Sequence, residues 1–177
     1  MLMNSFPDQN FMQMCWVVPD VHEAIAQWTR ATGAGPFFYF ENVPFEQPHY
    51  RGRPTQNVDI KAAIGQSGGI QIELVSQADD LPSIWRDIVP VGKSGLHHMA
   101  LYCQDMDANI AAYRAAGAEA AFNCMMMGAR TYWMDTTARL GFMVELIEAN
   151  PIADQVFGAI RGAAQGWDGT DPVRTLG

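Results

Sequence analysis

The sequence predicts an α+β protein of two tandem βαβββ modules, at residues 11–77 and 95–149, followed by a C-terminal helix and extended tail at 150–177. Three observations predict this. The β-rich run that begins at Phe11 leads into Asp20, and the run that begins at Gly95 leads into Asp105; Gln13 stands seven residues before the first aspartate and His98 seven before the second. Each aspartate opens a stretch with apolar residues at helical spacing. Finally, Gly69-Ile70-Gln71-Ile72-Glu73-Leu74 and Gly141-Phe142-Met143-Val144-Glu145-Leu146 share the layout Gly-x-x-x-Glu-Leu, so the first and last strands of the two modules match.

Residues 1–10 are polar and turn-prone, and are expected to be mobile. A strand follows over about 11–18. Asp20 is placed to cap a helix, with Glu23 three residues on, and Val21, Ala24, Ile25 and Trp28 fall on one helical face. Gly33 ends that helix, and Gly35-Pro36 forbids its continuation. The aromatic run Phe37 to Phe40 reads as a strand, the Pro/Gly/Arg-rich stretch after it as a long loop, and Asn57 to Ala62 as a further strand. From Ile70 the alternation is strict: Ile70, Ile72 and Leu74 share one face and Gln71, Glu73 and Val75 the other. Residues 77–94 read as a linker holding a short helix through Ile84, Trp85 and Ile88, stopped by Pro90. The second module repeats the scheme, with a helix from about 106 to 116 and strands at about 119–126 and 129–135. Ile152, Val156, Phe157 and Ile160 then form an amphipathic stretch suited to docking on the domain or on a partner copy.

Composition narrows the function classes. No apolar run reaches the length of a membrane span and the N-terminus lacks a signal-peptide layout, so the expectation is a cytoplasmic protein with no membrane partner. A formal charge of −8 without a basic cluster argues against a nucleic-acid partner. Cys15, Cys103 and Cys124 are odd in number and lack CxxC spacing, which suits small buried apolar groups better than disulfides or a structural zinc site. The 11 methionines fill the core or give an adaptable apolar pocket.

With this repeat, residues 11–148 resemble the vicinal oxygen chelate superfamily, which includes glyoxalase I, methylmalonyl-CoA epimerase, bleomycin-resistance proteins and extradiol dioxygenases. The resemblance implies a mixed sheet curled into a cup around one divalent metal ion (Zn, Ni, Co, Mn or Fe), with ligands from the first and last strand of each module. Carried onto this chain, those positions are Gln13, Glu73, His98 and Glu145. Alone, each is an ordinary strand residue. Recurrence at equivalent positions of a repeat is what joins them, and an imidazole, two carboxylates and an amide oxygen form a set suited to five- or six-coordinate ions. By strand parity His97 points to the face opposite His98. His22 and His49 read as surface residues.

The ligand types order the functions that the resemblance implies. An extradiol dioxygenase has histidine where this chain has Gln13, and bleomycin-type binders generally lack the metal set. A Gln/Glu/His/Glu set resembles that of glyoxalase I, with the epimerase related. The expectation is a metal-dependent isomerase, epimerase or lyase that removes a proton beside a metal-bound carbonyl, with Glu145 the first candidate for the base and Glu73 the second. The alternatives are a non-catalytic binding or sequestering protein of this fold and an Fe(II) ring-cleaving dioxygenase. The small-molecule carbonyl substrate is expected to be apolar, because half of Phe37, Phe38, Phe40, Met125, Met126 and Met127 facing the cup would line it. The basic residues near the presumed mouth, Arg51, Arg53, Lys61 and Arg130, form no recognisable motif. A homodimer is expected from the family.

Overall fold

The computed structural model describes residues 6–176. Its elements are β1 (Phe11–Val17), α1 (Val21–Thr32), β2 (Phe37–Phe40), β3 (Glu46–Tyr50), β4 (Arg53–Pro54), β5 (Ile60–Ser67), β6 (Ile70–Gln77) and α2 (Ile84–Ile88). Then come β7 (Gly95–Cys103), α3 (Met106–Ala115), β8 (Ala120–Met126), β9 (Ala129–Met134), α4 (Thr137–Leu140), β10 (Met143–Glu148), α5 (Pro151–Ala163) and β11 (Val173–Arg174). The aspartates cap as their positions require. Asp20 Oδ1 accepts from Glu23 N at 2.8 Å, Asp105 Oδ1 accepts from Ala108 N at 3.0 Å, and Gly33 closes α1 at φ 72°.

All strands join one 11-stranded sheet in the order β11-β2-β5-β6-β1-β7-β10-β9-β8-β3-β4. β1 runs parallel to β6 and β7 parallel to β10, while β1 and β7 pair antiparallel. The series β2-β5-β6-β1 is therefore continued by its reverse, β7-β10-β9-β8, and the β1/β7 seam relates two βαβββ units by a local twofold. Because side chains alternate along a strand, Ile72 and Leu74 pack under α1, and Val144 and Leu146 under α3. Glu73 and Glu145 are left on the other face.

That other face is covered at both ends and open between. On one side Phe157 and Ile160 of α5 pack on Phe38, Ala100 and Ile147. On the other, Trp85 of α2 joins Phe45, Phe122 and Trp133 in a cluster that also holds Cys15 and Met143. No helix among the described residues is long and apolar enough to cross a membrane.

Two expectations fail here. The stretch between β2 and β5 is not a plain loop: β3 and β4 form a hairpin that crosses to the second unit, where β3 pairs antiparallel with β8. Pro48 and Pro54 disguise these strands, and proline is tolerated because Pro48 falls at the register slip of β3 against β8 between Glu46 and His49 and Pro54 lies on the edge strand β4. Of the segment expected to be mobile, residues 1–5 lie outside the described residues, but Phe6 and Asp8 are docked. Phe6 meets the Tyr113 ring edge-on at 4.8 Å, and the Asp8 carboxylate accepts from Asn109 Nδ2 at 2.7 Å and Gln104 N at 3.1 Å. Asn109 is fully buried on α3, and a buried amide needs such partners.

Candidate metal centre

The β1/β7 seam and its two parallel neighbours bring three of the four candidate ligands into contact. His98 Nε2 lies 2.9 Å from Glu145 Oε2 and 3.2 Å from Glu73 Oε2, and the His98 and Glu145 side chains are 2% and 3% exposed. Neither contact meets hydrogen-bond geometry, so Nε2 is a buried polar atom without a directional partner. Gln13 is also buried and lines the same cavity as Glu73 and Glu145. Its Nε2 donates to Gln71 Oε1 at 3.3 Å, which leaves its own amide oxygen outside that bond.

Two histidines are coupled at this point, contrary to strand parity. The β1/β7 register slips between Cys15 and Trp16, where Cys15 pairs with His98 and Trp16 with Leu96, so His97 is the extra residue of a β-bulge. A bulge breaks the pleat, and His97 does not turn away from His98. Its Nδ1 lies 2.8 Å from His98 Nδ1, its ring stacks on Trp85 with centroids 6.0 Å apart, and its Nε2 lies 2.9 Å from Ile84 O. A carbonyl only accepts, so His97 Nε2 carries the proton; burial and then the neighbouring His98 hold this ring neutral, lowering its pKa to about 3. His97 Nδ1 is thus the acceptor and His98 Nδ1 the donor. When His98 is neutral, the tautomer that results has its lone pair at Nε2, between the carboxylates.

Charge in this cluster follows from burial. Desolvation pulls the His98 pKa down, but Glu145 and then Glu73 more than offset this and leave it at about 9. Burial raises the Glu145 pKa against the lowering effect of His98. Cys15 is the member that sequence reasoning missed. It is fully buried, pairs across strands with both Glu73 and His98, and its sulfur, a Glu73 oxygen and a His98 nitrogen all lie within 4.8 Å of one another. Its place two residues from Gln13 on the same strand face was the available signal. Burial and the Glu73 carboxylate both push its thiol pKa up.

Above these residues is a cavity of about 360 Å³, with Gln13, Glu73 and Glu145 as its polar floor and Ile64, Ile147 and Phe157 among its apolar walls. Three of the six apolar candidates, Phe40, Met126 and Met127, line it as well. Phe37 instead packs with α1 and Phe38 with α5, the alternation of β2 sending neighbours to opposite faces.

A family model described as the glyoxalase/bleomycin resistance protein/dioxygenase superfamily matches residues 12–132. The chain belongs to this superfamily. No curated protein matches it. Solved structures similar to this superfamily member include methylmalonyl-CoA epimerase from Mycobacterium tuberculosis, at TM-score 0.59 and 19% identity, covering 88% of this chain and 97% of that one. A methylmalonyl-CoA epimerase in complex with methylmalonyl-CoA and NH4+ is similar at TM-score 0.56 and 15% identity, covering 82% and 97% of the two chains. A variant of the Streptomyces coelicolor methylmalonyl-CoA epimerase, in complex with 2-nitronate-propionyl-CoA, is similar at TM-score 0.55 and 15% identity, covering 80% and 98%. At these identities the likeness is one of fold.

Many members of the superfamily bind a divalent metal, and here Cys15, Glu73 and His98 lie close enough together to hold one. Ligands about 2.1 Å from a common ion and near a right angle apart are separated by about 3 Å. The His98–Glu145 and His98–Glu73 separations of 2.9 and 3.2 Å have that spacing. The orphaned Nε2 is the atom a cation would satisfy.

Proposed function

We propose that this chain is a metal-dependent isomerase, epimerase or lyase that removes a proton from the carbon beside a carbonyl of an apolar small molecule. Gln13, Glu73, His98 and Glu145 would hold one divalent ion, Zn, Ni, Co, Mn or Fe. The observation that carries this reading is the buried His98 Nε2, without a directional partner between two carboxylates at the floor of an apolar cavity. When bound, the ion would supply Lewis-acid stabilisation of the negative charge that develops on the carbonyl oxygen.

The chain's own groups supply the rest. Glu145 is the first candidate for the base: it borders the cavity, and burial raises the affinity of its carboxylate for a proton. Glu73 is the second, with a side chain 16% exposed beside the same cavity. The apolar walls keep bulk water from a carbanion-like centre, which water would otherwise reprotonate without stereochemical control. His97 orients His98 through the Nδ1 contact, so the ligand nitrogen is presented in one tautomer. An epimerase inverts a carbon, and beside a carbonyl the direct route is removal and return of its proton; the names of the similar structures therefore support this reaction class.

The test is elemental analysis of untagged wild-type protein beside His98→Ala, followed by deuterium exchange into simple ketone probes. Near one metal per chain in the wild type and none in the variant is expected. No metal in purified protein, and none taken up on titration, would remove the reading. Retention by Glu145→Gln of both the metal and full exchange would reassign the base.

A further inference from the structure

The charge lining the cavity is of one sign. Three carboxylates line it, Glu46, Glu73 and Glu145, and no lysine, arginine or histidine among the described residues does. Of the basic residues expected near the mouth, three are engaged elsewhere, and Arg53, on the edge strand β4, does not line the cavity. Arg51 is held by Asp87 at 2.7 Å and Asp135 at 3.3 Å, Lys61 by Glu41 at 2.8 Å, and Arg130 by Glu148 and Asp107, both at 2.6 Å. Arg161 lines a separate cleft of about 160 Å³ that shares only Phe157 with the cavity.

Glu46 differs from the other two carboxylates. It is exposed, lies at the start of β3, and makes no ion pair or side-chain hydrogen bond among the described residues. Its position follows from the crossover, which brings β3 to the edge of the second unit, where Glu46 pairs with Met125. A single divalent ion on the floor would offset Glu73 and Glu145. The charge of Glu46 would still face the ligand.

We infer that the cavity takes an uncharged or cationic, largely apolar carbonyl compound and rejects anionic ones, with Glu46 the residue that sets this charge preference. The inference deepens the function proposed above and shares its cavity. The physical reason is that a ligand carboxylate would lose water against apolar walls that offer no counter-cation, and would meet the like charge of the exposed Glu46. A hydroxyl or ammonium group on the ligand would be accepted by the free Glu46 oxygens.

The experiment uses three probes with the same ring system: 2-naphthylmethylamine, 2-naphthalenemethanol and 2-naphthoate. Calorimetry measures their binding to the full chain, wild type and Glu46→Gln, after treatment with chelator so that the carboxylate probe cannot ligate a metal. In the wild type we expect the amine and alcohol to bind and the carboxylate to bind roughly tenfold or more weaker than the alcohol. In Glu46→Gln the amine-to-carboxylate ratio should fall several-fold, with the alcohol as the internal reference. Equal binding of carboxylate and alcohol, an unmoved ratio in Glu46→Gln, or binding of none of the three would overturn the inference. Metal uptake is not needed for this ranking, so failure of the metal-dependent reading would show separately, in the elemental analysis.

Discussion

The Nδ1 atoms of His97 and His98 lie 2.8 Å apart, and this contact decides which nitrogen of His98 is free for a ligand. It predicts a positioning role for His97. His97→Phe keeps a ring against Trp85 but deletes the acceptor, so His98 is no longer held in one tautomer. Metal affinity, read by competition with a chromophoric chelator, should fall about 10- to 100-fold. Leaving Ile84 O unpaired should also cost about 1–3 kcal/mol of stability. A folded variant with wild-type affinity would show that the bulge, and not the hydrogen bond, sets the geometry.

Metal should be visible in stability as well as in composition. His98 and Glu145 are buried at 1% and 2% exposure, an arrangement costly for charged groups unless a cation satisfies both. An ion present at about 100 times its Kd stabilises the native state by about 2.7 kcal/mol. For a chain of this size that is roughly 5–10 °C in Tm. Thermal melts of chelator-treated protein with added zinc, cobalt or manganese should show this rise, and His98→Ala should not.

Much of this was legible in the chain because it depends on local pattern. The caps at Asp20 and Asp105, the alternation at Ile70 to Val75 and the repeated Gly-x-x-x-Glu-Leu are short-range signals, and each element they predict is present. Glu73 and Glu145 reach the same floor because strand parity and the repeat both act on them. The misses depend on pairing between distant segments. The His97 bulge is fixed by the slip between β1 and β7, segments about 80 residues apart, and nothing in Leu96-His97-His98 marks it. β3 finds its partner in the other unit, past a proline that reads as loop. Cys15 had the right face, but a cysteine without CxxC spacing reads as a small apolar group. That α5 would close one end of the cavity depended on where its apolar face docked.

The cysteines carry a prediction about access. Cys15 and Cys103 are fully buried and Cys124 is 4% exposed. Burial raises all three thiol pKa values; for Cys15 the Glu73 carboxylate adds to this, and Cys103 is pushed up to about 12. Thiolate is the reactive form, so native protein should resist an aromatic disulfide reagent at neutral pH. In guanidinium chloride all three should react. Fast reaction of one thiol in native protein, mapped to Cys15, would mean that the floor of the cavity opens to solvent.

The pair that ties β9 to β10 predicts how stability depends on acid. Arg130 Nη2 donates to Glu148 Oε1 at 2.6 Å, and the backbone N of Arg130 donates to Glu148 Oε2 at 3.1 Å. The guanidinium holds the Glu148 pKa below the usual carboxylate range. A carboxylate with a depressed folded-state pKa stabilises fully above its unfolded value, about 4.3, and loses that contribution as pH falls through the folded value. The side chains are 36% and 30% exposed, so solvent screens the pair and the expected contribution is about 0.5–1 kcal/mol. Urea melts of wild type and Arg130→Met should therefore differ by about this amount at pH 7. The gap should close as the pH is lowered from about 5 toward 3, where Glu148 takes up its proton in both states. A gap independent of pH would assign the loss to packing of the arginine stem over β9.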